Sequence, residues 1–240
     1  MDTTSWLKAE LWRRFGSPEY AAEWDGRVLG GGKISQRFWE YLKAIEYLEI
    51  DENSVVLDIG GGSRATRGGF LANLLAERAR SVIVMDPTIG AAEGAPGVAR
   101  GRGNPEFLAR SASYETLRDF LGSRPDVTHI SCISVLEHIE PGARKGVIRA
   151  VNEFFKGDRF VATFEFHART VFFRHQLTTR TMSEAFEPLT AFYLDRLEAS
   201  PVWAENAFDT KALVRLARRE PLAEADIPRW YPIAVRFRRA

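Results

Sequence analysis

Between Ser54 and His167 the chain alternates short, continuously apolar runs with amphipathic stretches. "SVVLDIG" (54–60), "SVIVMD" (81–86), the start of "DVTHISCISVLEHI" (126–139) and "RFVATFEFH" (159–167) read as strands. A strand covered on both faces needs no polar alternation, and "SVVLDIG" is such a continuous apolar run. "EFLARSA" (106–112) reads as a further, shorter strand. The intervening segments 69–78, 114–122 and 141–156 carry apolar residues at helical spacing, as at Phe70, Leu71, Leu74 and Leu75. Strands and helices in strict alternation require right-handed crossovers and give an α/β, doubly wound, mostly parallel sheet.

Outside this block the texture differs. Residues 5–15 and Ser35–Ile50 read as helices, the second capped by Ser35, with Phe38, Tyr41, Leu42, Ile45 and Leu48 on one face. Residues 168–200 read as helical and rich in Phe and Arg, a helix is expected near 209–219, and "YPIAVRFRR" (231–239) reads as a last strand. No linker divides the chain. The expected organisation is one domain over 1–240: an N-terminal helical lid or extension (1–50), a ligand-binding core (51–167), a helical substrate or cap segment (168–205) and a C-terminal part of the sheet (206–240).

Open parallel sheets bind ligands at the carboxyl ends of their strands. There the first strand runs into Gly60, Gly61 and Gly62, bare backbone that turns sharply and lets a ligand touch amides. A nucleotide P-loop is excluded on spacing. The Gly32-Lys33 pair has Arg27 where that pattern needs glycine and Ile34 where it needs Ser or Thr. A dinucleotide fold stays open, since Gly60, Gly62 and Ala65 satisfy its glycine spacing and Asp86 ends the next strand, near the expected place for a ribose-binding acid.

Four motifs in order at strand ends resemble the class I S-adenosylmethionine-dependent methyltransferases. "VLDIGGG" resembles their first motif, "VIVMDP" their second, "SASYETL" their adenine-contacting segment and "ISVLEHI" a string after strand four in many small-molecule members. The resemblance covers about residues 35–167 and implies a Rossmann-like, seven-stranded sheet and S-adenosylmethionine as cofactor. It implies cofactor contacts from Asp58, Gly60, Gly61, Gly62, Asp86, Pro87, Ser111, Ala112, Ile133 and Ser134. The ligand's character agrees: it has an ammonium for Asp58 and a ribose diol for Asp86, and no pyrophosphate for Asp58 to repel. Arg64 stands where the family often has a third glycine. That departure motivates the alternative of a non-catalytic binding protein of the same fold.

Methyl transfer to a hydroxyl needs alignment, exclusion of water and a base near neutral pH. His138 follows the fourth strand and His167 ends the fifth, both at the mouth of the expected crevice. His138 is either a base or a cap of the turn before Pro141. Glu137 either orients His138 or caps the next helix, and Glu165 points toward the same mouth. His129 reads as a buried structural residue and His175 as a surface or lid residue. These spacings match no metal-ligand set, so no metal is expected.

Composition narrows the partners. The chain has 240 residues, 33 basic against 32 acidic, mixed along its length, so nucleic acid is disfavoured. One cysteine, Cys132, permits no intrachain disulfide. No apolar stretch is long enough for a membrane span, and a cytoplasmic protein is expected. The expected acceptor is a small molecule or saccharide, methylated at oxygen. Arg169, Arg174 and Arg180 are candidates for an anionic group on it, and the segment's phenylalanines for core or for a homodimer contact.

Overall fold

The structure is a computed structural model, which describes residues 36–62, 70–88, 105–167, 177–199 and 231–240. The expected helices at 5–15 and 209–219, the loop residue Arg64, and Arg169, Arg174 and His175 lie outside them. The described strands are β1 (Val55–Ile59), β2 (Ser81–Met85), β3 (Glu106–Leu108), β4 (His129–Ile133), β5 (Arg159–His167), β6 (Leu177–Thr178), β7 (Phe192–Ala199) and β8 (Tyr231–Arg239). The helices are α1 (Gln36–Leu48), α2 (Phe70–Ala76), α3 (Tyr114–Ser123), α4 (Pro141–Phe154) and α5 (Thr179–Phe186), with a 3-10 turn at Leu136–His138.

Seven strands lie in the order β3-β2-β1-β4-β5-β8-β7, and β6 pairs with β5 off this path. β8 runs antiparallel to both its neighbours, whereas the pairs among β1 to β5 are parallel. This is the Rossmann-like arrangement expected. The chain departs from β1 toward β2 and β3, then returns to β4 on β1's other side, so the strand order reverses between β1 and β4. At such a reversal an open parallel sheet offers its ligand crevice, at the carboxyl ends of the strands.

Alternation along the strands feeds two apolar layers. Val55, Leu57, Ile59, Ile130, Cys132 and Phe160 face α3 and α4, with Leu117, Leu121, Val147 and Val151. Val56, Val82, Val84 and Val161 face α1 and α2, with Tyr41, Ile45, Leu48, Leu71, Leu74 and Leu75. Each large side chain so buried contributes about 1.5–3 kcal/mol. Of the face expected in α1, Tyr41, Ile45 and Leu48 are buried and Leu42 lies at the margin; the Phe38 side chain is outside the described residues.

One expectation is corrected. Residues 192–199 are a strand, not part of a helical cap, and β7 pairs antiparallel with β8 over most of its length. The short helix α5 is the helical portion of this segment among the described residues. Its Phe186 ring packs on Phe164 and Phe237, and Phe192 stacks on Phe155, so both serve the core. The third strand is also shorter than expected, ending at Leu108. Among the described residues no helix is long and apolar enough to cross a membrane.

Candidate functional site

Asp58 lies on the strand face that otherwise packs α1 and α2, one residue from the end of β1. It is 1% exposed. Its register partner on β4 is Ser131, whose hydroxyl donates to Asp58 Oδ1 at 2.7 Å. Asp58 Oδ2 is buried and receives no hydrogen bond from any described residue. Burial pushes this carboxyl up to about 7; the Ser131 hydrogen bond opposes the rise and the nearby Asp86 charge adds to it. An orphaned carboxylate oxygen in a strand-tip crevice is a place waiting for a donor or a cation, because leaving it bare costs free energy.

The glycine turn is built around this carboxylate. Gly60 has φ +74°, and a Cβ there would lie 2.2 Å from Val135 Cγ2, beyond the end of β4. The β1 and β4 tips therefore approach too closely for any side chain. A Cβ on Gly61 would lie 2.0 Å from Asp58 Oδ2. The peptide at Gly61 thus lies directly against the carboxylate.

Asp86 follows β2 beside Asp58 and is buried. Its Oδ1 accepts from the Thr88 backbone N–H at 2.7 Å. The Thr88 hydroxyl lies 2.6 Å from Asp86 Oδ1 and 2.7 Å from the Gly62 carbonyl oxygen, sharing one proton between them. Thr88 thereby ties the glycine turn to the tip of β2. Pro87 is exposed between them, and Ser111 and Ala112 follow β3 on the same edge, Ser111 exposed and Ala112 half-buried.

At the end of β4, Ile133 is buried and Ser134 has φ +50°, a left-handed backbone that costs a non-glycine residue on the order of 1–3 kcal/mol. Its N–H donates to the Thr163 carbonyl at 2.9 Å and to Thr163 Oγ1 at 3.1 Å. Its hydroxyl donates to Glu40 Oε1 at 2.6 Å, and the Thr163 hydroxyl donates to the same oxygen at 3.1 Å. Glu40 comes from α1 and is fully buried. Asp58, Ser131, Thr163 and Glu40 make a buried polar patch at the carboxyl end of the face that packs α1 and α2. Glu40, Ser131, Thr163 and Thr88 carry no role in the sequence-based assignment. Glu40 is a charged residue at the head of the apolar α1 stripe Tyr41, Ala44, Ile45 and Leu48, and that mismatch is the signal the sequence does contain.

The expected catalytic residues are placed as follows. Glu137 is buried in the 3-10 turn, and its Oε1 accepts from the Glu165 backbone N–H at 3.3 Å. It binds the turn after β4 to β5. Buried Arg144 donates to the Ile139 carbonyl at 3.0 Å; burial holds its guanidinium below the ordinary value, opposed by Glu137 and Glu140. His138 is exposed on the same turn. His167 ends β5 with its backbone in the sheet; its side chain is outside the described residues. Glu140, not Glu137, caps α4, accepting from the N–H groups of Gly142 and Ala143.

His129 lies at the opposite end of β4, buried, with Thr128 Oγ1 2.7 Å from Nδ1 and Arg159 2.8 Å from the Leu48 carbonyl and 3.1 Å from His129 Nε2. Burial, reinforced by Arg159, pushes its imidazole down to about 4. It is a neutral structural residue. Among the described residues no three His, Cys, Asp or Glu side chains group as metal ligands.

No protein-family model matches the chain, and no curated protein does. Solved structures do. Magnesium protoporphyrin IX methyltransferase (ChlM) from Synechocystis PCC 6803, with bound S-adenosylmethionine, superposes with TM-score 0.53 at 16% identity, over 98% of this chain and 97% of that one. N-methyltransferase NodS from Bradyrhizobium japonicum WM9, with S-adenosyl-L-homocysteine, gives TM-score 0.53 at 15% identity, over 97% and 98%. Geranyl diphosphate C-methyltransferase from Streptomyces coelicolor A3(2), with Mg2+, geranyl diphosphate and S-adenosyl-L-homocysteine, gives TM-score 0.57 at 12% identity, over 98% of each chain. With its strand order, its antiparallel β8 and these likenesses, the chain has the class I methyltransferase fold.

Proposed function

We propose that the chain is an S-adenosylmethionine-dependent methyltransferase acting on a small-molecule or saccharide acceptor, at oxygen. The observation that carries this reading is the buried Asp58 carboxylate. Its Oδ2 lacks a partner among the described residues, and a glycine peptide is pressed against it. A pyrophosphate would be repelled there, whereas an ammonium would satisfy the orphaned oxygen. The neighbouring Asp86 carboxylate, pinned by Thr88, suits a ribose diol. Solved proteins of the same fold carry S-adenosylmethionine or S-adenosyl-L-homocysteine, which supports that cofactor over a dinucleotide.

In this reading Asp58, Gly60, Gly61, Gly62, Asp86, Pro87, Ser111, Ala112, Ile133 and Ser134 hold the cofactor. When bound, it supplies an activated methyl group for in-line displacement. Asp58 neutralises an ammonium, Asp86 accepts from hydroxyls, and the backbone after β3 borders the base. The exposed His138 is the proposed proton acceptor for an acceptor hydroxyl, with His167 at the adjacent strand end as a second candidate. Glu137 acts through the scaffold, holding the Glu165 peptide. The acceptors named for the structural neighbours, a porphyrin and an isoprenoid diphosphate, support a small-molecule acceptor here.

Isothermal titration with S-adenosyl-L-homocysteine, followed by a methyl-transfer screen over hydroxylated small molecules and saccharides, tests the proposal. Saturable binding by the wild type and transfer to one acceptor class are expected. Absence of binding, or binding of NADH in its place, would overturn it.

A further inference from the structure

Glu40 is the feature the proposed chemistry leaves unused. It is fully buried, sits on α1 rather than on the sheet, and one of its oxygens takes both the Ser134 and the Thr163 hydroxyls. Ser134 is one of the two non-glycine residues with positive φ among the described residues, and it directly follows the carboxyl end of β4. Its N–H is fixed by Thr163, and its side chain by Glu40. A non-glycine residue keeps such a backbone only where its surroundings hold it. α1 packs across β4, β5 and β8 through an apolar stripe, and Glu40 is the polar contact that stripe makes with the strand tips.

We propose that Glu40 is a positioning residue that makes docking of α1 a condition of cofactor binding, by holding Ser134 in its left-handed conformation at the end of β4. The inference rests on the S-adenosylmethionine reading above. With α1 undocked, Ser134 loses the acceptor for its hydroxyl, its backbone relaxes toward ordinary values, and the rim it shapes is lost. By reciprocity, a ligand that needs this rim strengthens α1 docking.

The test is titration with S-adenosyl-L-homocysteine of the wild type, Glu40→Ala, Glu40→Gln and the double variant Glu40→Ala/Ser134→Gly, with Ile45→Ala as a control that removes apolar packing while α1 stays docked and Glu40 stays on Ser134. Glu40→Ala is expected to weaken binding at least about 10-fold. Glu40→Gln keeps an accepting oxygen and stays within about 3-fold of the wild type. Glycine takes positive φ without support, so adding Ser134→Gly restores most of the lost affinity. Ile45→Ala lowers Tm but leaves affinity within about 2-fold. Hydrogen exchange shows slower exchange across Gln36–Leu48 when S-adenosyl-L-homocysteine is bound to the wild type.

Wild-type binding with unchanged affinity in Glu40→Ala, or equal losses in Glu40→Ala and Ile45→Ala with no rescue by glycine, overturns this inference alone. If Glu40→Ala does not fold, Glu40→Gln decides: a loss above about 10-fold with unchanged Tm contradicts the hydrogen-bond account. No binding by the wild type removes the underlying reading as well.

Discussion

The Gly61 peptide lies so close to Asp58 that a β-carbon at position 61 would stand 2.0 Å from the carboxylate oxygen Oδ2. The turn and the acid form one object: the carboxylate fills the space a side chain would need, and the bare peptide lets it face the crevice. Gly61→Ala must therefore displace Asp58 or the turn. It should destabilise the fold by about 1–3 kcal/mol and abolish S-adenosyl-L-homocysteine binding. Gly122, near the end of α3, has open space around its α-carbon, and Gly122→Ala should be neutral or stabilise by up to about 1 kcal/mol. Urea denaturation of both variants checks the contrast.

Asp58 sets the pH dependence. Its folded value, about 7, lies above that of an exposed carboxyl, so the folded state holds its proton more tightly than the unfolded chain. The stability this provides is complete below about pH 4 and falls between about pH 4 and pH 7. By linkage the loss is on the order of 4 kcal/mol at most. Asp58→Asn should flatten that part of the stability profile and exceed the wild type in stability above about pH 7. Ligand affinity should run the other way. An ammonium needs the ionised carboxylate, so wild-type affinity for S-adenosyl-L-homocysteine should rise from about pH 5 to about pH 7 and then level off. Asp58→Asn should bind weakly at every pH. Denaturation and calorimetry across this range measure both.

Asp86 and Thr88 should separate by degree. Asp86→Ala removes charge-assisted acceptors for a diol and should weaken S-adenosyl-L-homocysteine by about 10- to 100-fold. Thr88→Val leaves the carboxylate but unties it from the Gly62 carbonyl, and a loss of about 10-fold or less is expected. An Asp86→Ala variant that bound as well as the wild type would show that the ribose lies elsewhere.

His138 is exposed on the 3-10 turn that follows β4 and is the proposed proton acceptor. His138→Ala should lower the transfer rate to a hydroxyl acceptor by about 100-fold while cofactor affinity stays within about 2-fold. Single-turnover kinetics at saturating cofactor separate the two effects.

The parallel core was legible because its strands are short apolar runs whose type does not depend on distant partners. Val55–Ile59 and Ser81–Met85 are buried almost throughout. Phe192–Ala199 was not. Leu194 and Leu197, three apart, are spaced as on a helical face, and only pairing with β8 makes the segment a strand. A register shift between Leu194 and Arg196 also breaks its alternation, and the intervening Asp195 forms a salt bridge with the buried Arg236. The places of Asp58 and Asp86 at the carboxyl ends of β1 and β2 were legible because each is an acid at the end of an apolar run, Asp58 just before the glycines and Asp86 just before Pro87. Glu40 was not, since its partners Ser134 and Thr163 lie 94 and 123 positions away and meet it only through the docking of α1. Glu137 stands beside His138 in sequence, but the bond of its Oε1 to the Glu165 peptide joins residues 28 positions apart and was not legible.

The most direct measurement is a crystal structure of the chain grown with S-adenosyl-L-homocysteine. The account predicts the ligand's amino group within hydrogen-bond reach of the Asp58 carboxylate and its ribose hydroxyls on Asp86. A ligand bound away from these two carboxylates, or crystals that take up none at saturating concentration, would contradict it.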